Sequence, residues 1–305
     1  MSEHLTHIAV YDDMYRIIQY SDEIHEAFKI SLQNEPDAGL MASGARGNHI
    51  HAVPFIEQAI QSWPIRKEGD GTEARVAAAI GWLAHRAIDI EVKSRQLDED
   101  TIYRPRFSKD EQDIYQDAVT FAKVYQGGKN KSVSPRVYLS EATLSPHMDK
   151  HPAAHLLHVN YVESLAVSMV QQNLMAYHSF HENSSSLEDW LDEFPNHYQK
   201  LSENLETYIE AYQNLDPKKR KAYIEDLNFY NEKDDIIRLA RDLQNHGKTD
   251  ISLIEAVEKS DQQSSYALGL GNSFRNIKAA SDFFSGKLDK DSVYDIAKVD
   301  QIHRF

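Results

Sequence analysis

Two residues one helical turn apart carry the sharpest chemical signal in the chain. His85 and Asp89 stand in Gly81-Trp-Leu-Ala-His85-Arg-Ala-Ile-Asp89. On a helix, residues four apart project from one face. An imidazole and a carboxylate placed so can share a divalent ion, as paired helical ligands do in bundle metal sites. The same spacing also suits a plain His–Asp hydrogen bond on a packed helix.

Other candidate ligands are spread before and after this pair. His7 and Asp12 lie near the start, with Asp13 as an alternative to Asp12. Five helical residues turn a side chain by roughly 140°, so His7 and Asp12 do not share one face well, but they can bracket a cluster of metals. Asp37 follows Pro36 and His51 precedes Pro54, so the two flank a stretch rich in small residues and can both point into one cavity. Asp37 also suits a simple turn cap. His147, His151, His155 and His158 form the densest group. With Pro152 as the first residue of a helix, His151 and His155 come onto one edge, a familiar arrangement of metal ligands.

The chain as a whole restricts what such a site can be. Of 15 histidines, 12 lie before residue 182, so the candidate ligands concentrate in the first part. There is no cysteine, which leaves His, Asp and Glu as ligands for any transition metal. The formal net charge of −15 argues against binding duplex nucleic acid, which needs phosphates neutralised by Lys and Arg. No stretch is long and apolar enough to be a membrane span. The opening residues lack a basic region followed by an apolar run. A cytoplasmic location is therefore expected. His-Glu-x-x-His, Gly-x-Ser-x-Gly and Walker motifs are absent, and so is an adjacent His-Asp pair.

The elements that must position these residues read as helices. Only 12 glycines and 9 prolines interrupt the chain, and long stretches show apolar spacings of three and four. Helices are expected over about 5–32, 54–62, 72–97 with Thr72 as N-cap, and from 108 or 110 to near 127. Further helices are expected at 152–176, 186–213, 217–245, 251–260, 262–285 and 290–300. Residues 38–47 and 129–145 read as irregular. No alternating strand pattern occurs, so the expected fold is an all-α multi-helix bundle. Residues 1–182 are expected to form the metal-binding core. Residues 183–305 are expected to form a helical C-terminal extension packed on it as one globular unit. Gly269-Leu-Gly271 lacks the preceding strand and remaining residues of a phosphate loop.

In order, these segments resemble the zinc-dependent phospholipase C family. Its relatives include the catalytic domain of glycosylphosphatidylinositol-specific phospholipase D and, more distantly, the fungal single-strand nucleases. Four places carry the likeness: Thr6-His7-Ile8 with Asp12, Pro36-Asp37, His51-Ala-Val-Pro54-Phe55, and the helix that ends in Gly81, His85 and Asp89. They cover about the first 95 residues. The resemblance implies an all-helical fold and up to three zinc ions in a cleft, with metal-activated water attacking a phosphodiester. Other divalent metals also suit His and carboxylate ligands. It implies His7, Asp12, Asp37, His51, His85 and Asp89 as ligands. Asp37 would double as the catalytic group that orients or deprotonates the water. His151 and His155 stand nearest to the family's later ligand helix. The expected substrate is a small-molecule or lipid phosphodiester. Where relatives often carry a further histidine after the Asp, this chain has Lys93. That departure suits an alternative: a non-catalytic helical protein that keeps the fold and has lost some or all metals.

Overall fold

The computed structural model describes residues 4–44, 48–94, 109–133, 211 and 216–299. Among them there is no strand, and the fold is an all-α multi-helix bundle. No helix among them is long and apolar enough to cross a membrane.

Eleven helices are seen in these residues: α1 His4–Tyr20, α2 Glu26–Asn34, α3 Pro36–Gly44, α4 Ala52–Ser62, α5 Thr72–Ser94, α6 Lys109–Val124, α7 Pro217–Arg220, α8 Asp235–His246, α9 Leu253–Lys259, α10 Ser265–Phe284 and α11 Lys290–Ala297. Three departures from the sequence reading have local causes. The first expected helix is two, α1 and α2. The Ser21 hydroxyl accepts the Glu23 N–H, and the His25 ring caps α2 by accepting from Ala27 N. Side chains that bind nearby backbone groups in this way compete with the helix. Most of the stretch 38–47, expected as irregular, belongs to α3, which runs from 36 to 44 with Pro36 at its first position, where a missing N–H costs nothing. Residues 217–245 are also divided. A single wide turn follows α7, and α8 starts only at Asp235.

Helix α5 is the axis of the bundle. Val76, Ala77, Ile80, Trp82, Leu83 and Ala84 are all fully buried, so its middle is covered on every side. A helix that is apolar all round belongs in the interior. Helices α2, α3 and α4 pack on it, and α10 runs along it as well. The approach of α10 depends on small residues. A Cβ on Gly269 would sit 2.4 Å from the Ile88 side chain, and the Ser273 hydroxyl reaches the Ala84 carbonyl at 3.4 Å. Gly269 thus packs on α5, while Gly271 packs against Ser260, which follows α9.

Helix α1 is tied to the later helices by a buried charge. Asp13 pairs with Arg241 of α8 and with Arg16, and accepts from the Tyr266 hydroxyl of α10 at 3.0 Å. Buried apolar residues from α1–α6 and from α8–α11 belong to one continuous core.

Candidate metal centre

The site forms where the first turn of α1 meets the second half of α5. His85 and Asp89, one turn apart on α5, are joined there by His7 of α1. These three residues are 3%, 7% and 3% exposed in the order named, so the cluster is interior. The two oxygens of Asp89 face different rings: Oδ1 lies 3.6 Å from His7 Nε2, and Oδ2 lies 3.7 Å from His85 Nε2. The rings stack with centroids 4.1 Å apart and planes 20° apart. One candidate ligand atom from each residue lies within 4.8 Å of the other two.

At 3.6 and 3.7 Å, the Nε2–oxygen contacts exceed hydrogen-bond length. Ligands held about 2.0–2.1 Å from a tetrahedral zinc stand about 3.3 Å from one another. The two nitrogen–oxygen spacings, each to a different oxygen of Asp89, are somewhat longer than this, and the cluster is compatible with a divalent ion.

The tautomer of His85 is also set. Its Nδ1 donates to the carbonyl of Ser43 at 2.7 Å, so in the neutral ring the lone pair lies on Nε2, the nitrogen nearer Asp89. A ligand histidine held through its other nitrogen is the usual support of a metal site. Ser43 reaches His85 because α3 and α5 touch backbone to backbone. A Cβ placed on Gly81 would lie 2.1 Å from the carbonyl oxygen of Gly39. Gly81 and Gly39 each lie one turn before the residues they bring together, His85 and Ser43. Helix α3 is fixed from its other side by Tyr11 of α1. Its ring lies where a Gly39 side chain would be, and its hydroxyl donates to the Pro36 carbonyl at 2.8 Å.

The other sequence candidates are placed differently. Asp12 is fully buried but faces away from the cluster, as the rotation from His7 requires. It accepts from the Tyr125 hydroxyl at 2.8 Å, the Ser132 hydroxyl at 2.9 Å and Val133 N at 3.2 Å. Burial pushes its carboxyl up to about 6, against the opposing effect of Arg16 and these hydrogen bonds. Asp12 and Asp13 therefore hold helices together. Asp37 stands in the first turn of α3, and His51 immediately precedes α4. Neither belongs to the three-residue cluster. The His51 ring packs edge-on to Trp82, centroids 6.0 Å apart, three residues before His85 on α5. His151 and His155 lie outside the described residues. The Ser43 carbonyl is the contributor that sequence reasoning missed, since a backbone oxygen leaves no mark in residue type.

Comparison of the chain with family models, curated proteins and solved structures gave no match.

Proposed function

We propose that this protein is a metal-dependent phosphoesterase of the zinc-dependent phospholipase C type, with His7, His85 and Asp89 holding a divalent ion. One observation carries the reading: two imidazoles and a carboxylate from two helices converge at ligand spacing, with the tautomer of one imidazole set by a backbone carbonyl. A divalent cation bound there supplies Lewis acidity to a phosphate oxygen and a lowered pKa to water. The chain supplies the rest. Ser43 orients His85, and Asp89 turns one oxygen to each imidazole. The resemblance gives Asp37 the task of orienting or deprotonating the attacking water. It stands at the start of the helix that bears Ser43. Zinc is the expected ion, and a lipid or small-molecule phosphodiester the expected substrate.

A second reading has a specific observation in its favour. The three residues are so deeply buried that an ion there can serve the fold alone. Metal analysis of the purified protein, followed by assay on bis(p-nitrophenyl) phosphate, separates the cases. About one or more zinc per chain with hydrolysis abolished in Asp89→Ala supports the enzyme. Zinc without hydrolysis of this diester or of phospholipid leaves a structural ion. No zinc after supplementation rejects both.

A further inference from the structure

His7 occupies the first turn of α1, where backbone N–H groups lack partners within the helix and the end frays unless something holds it. In this protein that hold comes from another helix. Asp117 of α6, fully buried, accepts from Leu5 N at 3.1 Å through Oδ2. Its Oδ1 accepts from Thr6 N at 2.8 Å and from the Thr6 hydroxyl at 2.6 Å. The Thr6 hydroxyl also lies 3.3 Å from that of Thr120, one turn along α6 in the direction of Asp12's partner Tyr125. A single carboxylate thus binds both residues immediately before His7. Hydrogen bonds to a charged acceptor are about twice as strong as neutral ones.

We propose that Asp117 is a positioning residue for the metal centre: by clamping Leu5 and Thr6 to α6, it sets His7 opposite His85 and Asp89. The inference rests on reading that cluster as a metal site. His85 and Asp89 share one rigid helix and keep their relation unaided. His7 comes from a different helix, in its first turn, so it is the ligand whose place needs an external reference. Groups that hydrogen-bond a ligand directly typically account for about 10–100-fold in metal affinity; Asp117 acts through the backbone beside the ligand, so the lower end of that range is expected. Asp117 is 110 residues from His7 in sequence, and nothing in its local context marks it.

The test compares zinc affinity by calorimetry, and the visible spectrum of the cobalt form, in wild type, Asp117→Asn and Asp234→Asn. The last is a matched control. Asp234 holds the start of α10 in the same manner, accepting from the N–H and hydroxyl of Ser264. In Asp117→Asn an amide N–H₂ replaces one acceptor oxygen, so Leu5 N or the Thr6 groups lose their partner. Zinc affinity is expected to fall at least tenfold and the cobalt spectrum to change, with α-helical content kept. Asp234→Asn is expected to lose a comparable amount of thermal stability and to bind zinc within about twofold of wild type. Thr6→Val, which removes only the hydroxyl contact, gives a smaller loss of affinity and serves if Asp117→Asn does not fold. Unchanged affinity and spectrum in the folded Asp117 or Thr6 variant overturns the proposal, as does an equal loss in Asp234→Asn. A wild type that binds no zinc rejects the metal centre itself and this role with it.

Discussion

The Nδ1 of His85 stands 2.7 Å from the carbonyl oxygen of Ser43, a contact between two helices that cross at a pair of glycines. The donor direction this imposes on His85 depends on how closely α3 lies against α5. That closeness depends in turn on Gly81 having no Cβ.

Gly81→Ala tests this dependence. The added methyl would meet the Gly39 carbonyl oxygen at 2.1 Å, a backbone atom that can move only with its helix. Overpacking of this kind costs about 1–3 kcal/mol. We expect a lower melting temperature, and a zinc affinity reduced more than a matched core substitution such as Ile237→Val reduces it. A variant with unchanged melting and zinc binding would mean that α3 does not need its close seat on α5.

His7→Ala, His85→Ala and Asp89→Ala are each expected to lower zinc content by about tenfold or more at limiting metal. Lys259→Ala, on the exposed side of α9, is expected to leave it unchanged. Elemental analysis after dialysis gives the result directly. Equal occupancy in wild type and all three variants would remove the site.

What was legible in the sequence follows from range. His85 and Asp89 are four apart on one helix, and the period alone placed them together. His7 is legible as a candidate ligand by residue type and by likeness to a family motif, but its seat opposite them depends on how α1 meets α5. Asp12 shows the value of the rotation argument: five residues from His7, it turned out to serve Tyr125 and Ser132 on the other side of α1. Helix α3 is not legible in the sequence because Ala38, Gly39, Ala42, Ser43 and Gly44 carry no apolar period. Those small residues are what lets α3 approach α5 so closely. Ser43's carbonyl and Asp117's distant carboxylate could not be inferred, because neither has a local pattern.

Arg241→Met is expected to damage the fold and spare the metal. Asp13 is fully buried, and removing Arg241 would leave its charge to Arg16 and Tyr266. Breaking a buried pair on one side costs about 3–5 kcal/mol. The surviving Arg16 contact puts the expected loss near the lower end. Urea denaturation gives the loss, and the double variant Asp13→Asn/Arg241→Met should recover part of it. Zinc stoichiometry in the folded fraction should match wild type. A single variant as stable as wild type would show that Arg16 and Tyr266 satisfy Asp13 by themselves.

The last expectation concerns pH and Asp12. Its carboxyl, ordinarily at 3.8, is raised by burial to about 6 in the folded protein. The folded chain therefore holds this proton over a range in which the unfolded chain has released it. Folding stability from this group is fully present below about 3.8, falls as pH rises through the interval, and is lost above about 6. The loss is on the order of 3 kcal/mol if the whole difference is expressed. Asp12→Asn cannot ionise, so its stability should fall less between pH 4.5 and 7 than that of wild type. Both proteins are compared by urea midpoints with chelator present, which removes any contribution from bound metal. The other carboxylates cancel in the difference between the two profiles. Parallel profiles for wild type and Asp12→Asn would show that Tyr125, Ser132 and Val133 stabilise the charged form enough to offset its burial.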